Sequence, residues 1–226
     1  MLVPHLLFAH LLADYPLQTD WLVVRKGNIK SGLLLHGGIV GFMSLLAVAP
    51  YLGEVWLAVL VLTVLHTLQD FLKVQLGPRL KTHPVVPYFG DQILHYITIV
   101  GLQLLLIGNN LSPEPTSTEA AFMWTGAAVI TVTRYYEVTW WANWLDMIPY
   151  MKRWRITGYL ERISMLALAA AGLWFVAPLA VFPRLVISYR QDKPIWKQRR
   201  GALELGLGIV VSIVLGIGLH IVYTGI

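Results

Sequence analysis

The sequence predicts an all-α fold, a polytopic transmembrane bundle of about six to seven membrane helices. Three observations carry that expectation. Hydrophobic residues fill 57% of 226 positions and charged residues only 13%, about half the charged share of a soluble chain, and the mean hydropathy is +0.64. Several apolar runs reach the roughly 20 helical residues that a hydrocarbon core of about 30 Å demands. These runs are continuous rather than alternating, which excludes the two-sided strands of a membrane barrel. Cysteine is absent, so disulfide frameworks, thiolate metal ligands and cysteine nucleophiles are excluded, and any metal has to be held by nitrogen and oxygen.

Taken in order, Met1 to Tyr15 is apolar but short for a span. It lacks the basic start and small-residue cleavage site of a secretory leader, and reads as a retained, short or partly inserted helix ending at Pro16. Gly32 to Tyr51, Val55 to Leu76, Gly90 to Gly108, Glu119 to Thr139 and Gly158 to about Pro178 each suit a span, and a sixth runs from about Gly201 to Thr224. We divide the chain into residues 1–110, four helices rich in His and Asp, and residues 111–226, the remaining membrane helices with an interfacial segment marked by Trp140, Trp141, Trp144 and Trp154.

Basic residues in short connections set the orientation. Arg25, Lys26 and Lys30 follow the first helix, Arg79 and Lys81 follow Leu76, and Lys152, Arg153 and Arg155 precede Gly158, whereas Leu52 to Glu54 and Asn109 to Thr118 carry no Lys or Arg. The basic face is therefore the cytoplasmic one. Arg184, Arg190, Lys193, Lys197, Arg199 and Arg200 break this scheme; a broken or re-entrant helix over Gly158 to Ser188, with Pro178 and Pro183, is one way for the chain to return them to the same side. The net charge of +5 reads as topology and attraction to anionic lipid rather than as a nucleic-acid surface.

Ionisable residues inside apolar helices are costly and point to function. Asp and His stand four apart three times, as His10 with Asp14, His66 with Asp70, and Asp91 with His95. Seven His and six Asp scattered at random would give about 0.4 such pairs. Residues four apart share one helix face one turn apart, so each pair can reach one ion or two adjacent ions. His10 and Asp14 end the first helix, His36 lies near the start of the next, His66 and Asp70 sit in the last third of the third, and Asp91 and His95 occupy the first turns of the fourth. All seven thus fall near the basic face. They predict a metal site of His10, Asp14, His36, His66, Asp70, Asp91 and His95. So many N/O ligands suit two divalent ions, of Zn²⁺, Mn²⁺ or Fe²⁺ character.

Around them lie Gln18, Gln69, Lys73 and Gln92. Lys73 can meet an anionic substrate oxygen or salt-bridge Asp70, and Gln18 and Gln92 can orient a bound water or hydrogen-bond between helices. The loop cations Arg25, Lys26, Arg79 and Lys81 read as topology determinants or, with Lys73, as raising the positive potential around that substrate oxygen. His5, His83 and His220 read as non-ligands, Arg134 with Glu137 as a helical ion pair, and Glu161 and Arg162, being adjacent, as residues that need separate partners.

At "AHLLADYPLQTDW", the isolated His36, "HTLQDFLK", "GDQILH" and "GYLER", the chain resembles a bacterial inner-membrane family built on a domain of unknown function. That family is distantly similar to LexA-regulated inner-membrane proteins described as metal-dependent hydrolases. The resemblance implies a bacterial inner-membrane, multi-pass location and roles for His10, Asp14, Gln18, His36, His66, Asp70, Asp91, Gln92 and His95. The expected activity is divalent-metal hydrolysis of an amphiphilic phosphoester, a membrane lipid or lipid-linked substrate, at the cytoplasmic leaflet, with Lys73, Gln18 and Gln92 in catalytic roles. The competing readings are a metal-ion transporter or sensor, and a noncatalytic membrane scaffold.

Overall fold

The structure, a computed structural model, describes residues 1–28, 30–79, 82–83, 85–108, 115–145, 148–189 and 195–225. Among them the regular structure is helical, in nine α-helices joined by short 3₁₀ and π turns. The chain divides into two compact units, Met1–Ala127 and Ala128–Ile226.

In the first unit α1 (Val3–Asp14) starts on Pro4 and is buried on every side, by Leu6, Ala9, His10, Leu11 and Asp14 among others. At 12 residues it is about 18 Å long, short of a bilayer core. The connection after it, read from its cations as a loop, is instead a helix, α2 (Asp20–Asn28). The Thr19 hydroxyl accepts a hydrogen bond from Leu22 N–H at 3.3 Å, Asp20 opens the first turn and Arg25 and Lys26 close the last, so cap and charges both match the helix dipole. α3 (Lys30–Ala47) gives way at Pro50 to a 3₁₀ turn, Ala49–Tyr51. Leu52 to Glu54, expected to be a connection, therefore belong to α4 (Leu52–Leu76). α5 (Val85–Leu102) begins earlier than the apolar run suggested, because Pro87 fits a first turn that needs no backbone donor. Asp91 and His95 consequently sit in its second and third turns. A π turn, Gln103–Ile107, extends α5, and the unit closes with the first part of α6 (Ser117–Ile130).

The packing inverts that of a soluble bundle. α4 turns Leu57, Leu60, Val64 and Leu68 outward and Val59, Leu62, His66 and Asp70 inward. Continuous exposed apolar faces of this kind call for lipid or a partner to cover them. Three helices are long and apolar enough to cross a membrane, Ala49–Leu76, Val85–Ile107 and Arg199–Thr224, and Ser31–Ala47 and Ala177–Tyr189 are shorter apolar segments.

In the second unit the chain is π-wound over Thr131–Tyr135 and Glu137–Trp144, and Trp140 meets Trp144 edge to face at 5.0 Å. α7 (Ile148–Ala170) ends in a turn through Gly172, whose φ of +82° favours glycine. A 3₁₀ segment, Ala177–Val181, and α8 (Phe182–Tyr189) then return along α7, so this stretch is a broken helix that doubles back rather than a single crossing. α9 (Arg199–Thr224) packs against α7, and a methyl at Gly216 would come within 2.7 Å of the Leu166 carbonyl oxygen. The reversal explains one cation that the topology left over. Arg184 is buried and donates to Glu204 Oε2 at 2.5 Å, with Glu161 Oε2 at 3.5 Å. Glu161 and Arg162 do take separate partners, since Arg162 pairs with Glu204 Oε1 at 3.3 Å, yet Arg184 and Glu204 join them into one network. Arg162 also donates to the Val132 carbonyl at 2.5 Å, from the π-wound stretch, and lies over the Tyr136 ring at 4.5 Å. Lys81, Arg190 and Lys193, most of the connection Asn109 to Thr118, and the side chains of Lys30, Trp141, Lys152, Arg153 and Trp154 lie outside the described residues.

Glu204 faces two guanidinium groups that have left water. Glu204→Gln should destabilise the chain by about 3–5 kcal/mol, whereas Arg134→Gln, which breaks the part-exposed 2.9 Å pair with Glu137, should cost no more than about 1 kcal/mol. Thermal unfolding in detergent micelles checks the contrast, and equal shifts would contradict it.

Candidate metal centre

The helical pairs converge. α1 brings His10 and Asp14, α3 brings His36, α4 brings His66 and Asp70, and α5 brings Asp91 and His95, with all seven side chains buried. What lets α3 meet α4 closely is Gly37, where a methyl would collide with the Thr67 hydroxyl. Thr67 is free to stand there because its hydroxyl donates back to the Thr63 carbonyl at 2.7 Å. The neighbouring residues, His36 and His66, are thereby placed with Nε2 atoms 3.2 Å apart.

Four of the seven form a cage. His36 Nε2 lies 3.1 Å from Asp14 Oδ1 and 3.3 Å from Asp70 Oδ2, and His66 Nε2 lies 3.6 and 3.5 Å from the same two oxygens. Four ligands held about 2.1 Å from one ion at tetrahedral angles are about 3.4 Å apart, so these spacings fit a single cation. Beside them, Asp70, Asp91 and His95 form a second group of possible ligands, and His10, Asp14 and His66 a third. Asp14, His66 and Asp70 each belong to two groups. The His66 and His95 rings stack at 4.1 Å, and His10 stands 5.0 Å from His95 and 5.3 Å from His66.

Buried polar atoms are nearly always hydrogen-bonded, yet His10 Nε2, both His95 ring nitrogens, Asp70 Oδ1 and Gln92 Oε1 have no hydrogen-bond partner. A neutral imidazole offers one lone pair, and imidazole nitrogens gathered with carboxylate oxygens are the chemistry a divalent cation satisfies.

Two lysines counter the carboxylates. Lys73 Nζ donates to Asp91 Oδ2 at 2.6 Å, on α5 rather than to Asp70 on its own helix, and sits 5.4 Å from the centroid of the Tyr88 ring. Lys26 Nζ donates to Asp70 Oδ2 at 2.6 Å, so the cation read as a topology marker belongs to the site. The signal for it was the helix signature from Thr19 to Lys26, which carries Lys26 back over the bundle. Gln18 accepts from the same ammonium at 3.1 Å and so positions Lys26. Gln92 Nε2 reaches Asp14 Oδ2 at 3.4 Å and leaves its carbonyl oxygen for another donor. Gln69 donates to Thr98 at 2.6 Å, and Arg25 stacks on Trp21 at 5.0 Å. The remaining histidines stand apart from these groups. His5 meets Tyr51 edge-on at 5.9 Å, His83 Nδ1 accepts from Val85 N–H at 3.3 Å, and His220 Nδ1 lies 3.0 Å from the Ala170 carbonyl.

The family described as "Protein of unknown function (DUF3307)" matches residues 2–123, the stretch that holds all seven clustered His and Asp side chains and both lysines. No curated protein and no solved structure matches the chain.

Lys26 reaches the site because Gly32 lets α2 lie against α3. A methyl at Gly32 would stand 2.5 Å from the Arg25 carbonyl carbon and 2.6 Å from Lys26 N, both backbone atoms that cannot yield alone. Gly32→Ala should therefore lift α2, cost about 1–3 kcal/mol and expose Lys26 to an amine-acetylating reagent. Peptide mapping after brief labelling reads this, and a Lys26 as shielded as in the parent chain would refute it.

Proposed function

Because the chain belongs to the DUF3307 family, whose name carries no activity, we propose from its site that it is a divalent-metal-dependent hydrolase of an amphiphilic phosphoester, acting at the cytoplasmic boundary of a bacterial inner membrane that it crosses six to seven times. The observation that carries this reading is the cage of His36, His66, Asp14 and Asp70 with edges of 3.1–3.6 Å. Its dimensions suit Zn²⁺. The adjoining group of Asp70, Asp91 and His95 offers fewer protein ligands, which suits a second ion with room for water and a substrate oxygen.

Bound divalent ions supply acidity to water and stabilise charge on phosphoryl oxygens. The chain's own residues do the rest. Gln92 Oε1 accepts a hydrogen bond from the attacking water and aims it. As the water oxygen bonds to phosphorus, the bond from phosphorus to the lipid alcohol oxygen breaks, and that oxygen leaves with a proton from the water. Lys73, at the part-exposed rim, meets the phosphoryl oxygens, and Gln18 holds Lys26 in place.

An apolar furrow of about 670 Å³ runs between α3 and α4, lined by Leu33, Leu34, Gly37, Thr67, Leu68 and Phe71. It adjoins His36 and His66 in sequence, and supports a substrate with a hydrocarbon tail. A transporter would need ligands stepped along a path, whereas these share one level. A scaffold that used His and Asp only for packing would satisfy its own hydrogen bonds, and the unpartnered atoms of His10, His95, Asp70 and Gln92 favour a ligand instead.

Elemental analysis of the purified chain should find up to two Zn²⁺, Mn²⁺ or Fe²⁺ per molecule. His66→Ala and Asp70→Asn, each removing a ligand shared by two groups, should lower metal affinity more than about a hundredfold, beyond what loss of an outer partner does. Turnover of a lipid phosphoester should vanish with the metal. A chain without metal that hydrolyses no phosphoester would sink the reading. Chelation should also lower the thermal unfolding temperature in detergent, because the His and Asp side chains of α1, α3, α4 and α5 lose the ion they would share; an unchanged temperature would show that no ion joins these helices.

A further inference from the structure

Charge bookkeeping inside the site deepens the proposed reading, on which this inference rests, by naming the substrate's headgroup. Three buried aspartates, Asp14, Asp70 and Asp91, stand against two ammonium groups, Lys26 and Lys73, each 2.6 Å from a carboxylate oxygen. The histidines bind metal only when neutral. The side chains alone therefore carry one net negative charge. Two divalent ions would turn that into three net positive charges, in a pocket whose His and Asp side chains are no more than 8% exposed. Uncompensated charge out of water is strongly unfavourable. A phosphodiester brings one negative charge and leaves two uncompensated; a phosphomonoester, dianionic above its second pKa of about 6, leaves one.

We propose that the loaded site selects a terminal phosphomonoester over a phosphodiester, and that Lys26 and Lys73 are the specificity-determining residues. Both lysines contact aspartates that the ions need, Lys26 on Oδ2 of Asp70, the same oxygen that forms a corner of the cage. An incoming cation competes with each ammonium for its carboxylate, and the released ammonium takes a phosphoryl oxygen in exchange. Each lysine therefore opposes metal and favours the dianion. The substrate class is an amphiphile that ends in a phosphate, not one whose phosphate is buried between two esters.

The test uses the full chain in detergent, with Zn²⁺ or Mn²⁺ content measured first, and methyl phosphate, dimethyl phosphate and dodecyl phosphate as probes in binding calorimetry at about pH 8, above the second phosphate pKa. With metal, methyl phosphate should bind about tenfold or more tighter than dimethyl phosphate, the scale of one charge-assisted hydrogen bond. Dodecyl phosphate stronger than methyl phosphate assigns the headgroup to a lipid, and equal affinity assigns it to a soluble monoester; both sustain the monoester. Lys26→Gln and Lys73→Gln should each raise metal affinity while lowering methyl phosphate affinity about tenfold. Those opposite signs distinguish the role from a merely structural one, which would weaken both. Loaded protein that binds the diester as well as the monoester, or lysine variants that lose metal and phosphate together, would overturn the inference alone. Protein that takes up no metal would overturn the parent reading and this one with it.

Discussion

A carboxylate or an imidazole that leaves water inside an apolar bundle has to be satisfied by another polar group of the protein or by something the protein binds, and the first unit is arranged around that requirement. Its outward faces are Leu, Val and Phe, so the seven His and Asp side chains turn inward, to one another and to Lys26, Lys73 and Gln92. Meeting requires backbones to come close. Gly37 against Thr67 and Gly32 against the backbone of Arg25 provide the approach, and the back-bonded hydroxyls of Thr63 and Thr67 keep the contact from adding new unsatisfied groups. α1, too short to span, is buried on every side because its polar end has nowhere else to go.

The second unit answers the same requirement in another way. Arg162, Arg184, Glu161 and Glu204 are as deeply buried, but two cations face two anions and the pairs share Glu204. Two guanidinium groups and two carboxylates balance each other in charge without an ion. That network reads as a brace that holds the returning α8 to α7 and α9. In the first unit three carboxylates face two ammonium groups, and polar atoms of His10, His95, Asp70 and Gln92 have no hydrogen-bond partner. Burial and polarity are alike in the two clusters; the sign of the imbalance separates a brace from a binding site.

What could be read from the sequence was whatever depends on helical geometry alone. Residues four apart share a face whatever the tertiary packing, so the three Asp/His pairs and their common level were visible beforehand, as was the end of α1 at Pro16. Lys26 was not, because counting basic residues treats a cation as a marker of sidedness and ignores whether its segment is ordered; the Thr19 cap and the charge order of α2 held that information. Arg184 was hidden for a different reason. Its partner Glu204 lies beyond a helix break, a reversal at Gly172 and a further turn, and no periodic pattern joins the two. The start of α5 was misplaced because hydropathy registers apolar residues, whereas the helix begins where Pro87 permits.

The lysines also bear on the order in which fold and site form. Three aspartates brought to one level without counterions would repel each other, and a bundle built that way would stay open until metal arrived, as small metal-organised domains do. Lys26 and Lys73 supply positive charge from within the chain, at the oxygens where it is needed. The bundle can then close around its own ion pairs and accept a cation afterwards. On the proposed reading the same contacts would weaken a cation's hold, since it would have to displace an ammonium to gain Asp70 or Asp91. Internal counterions would thus exchange metal affinity for a site assembled in advance, with Asp70 already placed between the cage and the second group, the form that the proposed use of a positioned water and a phosphate would need.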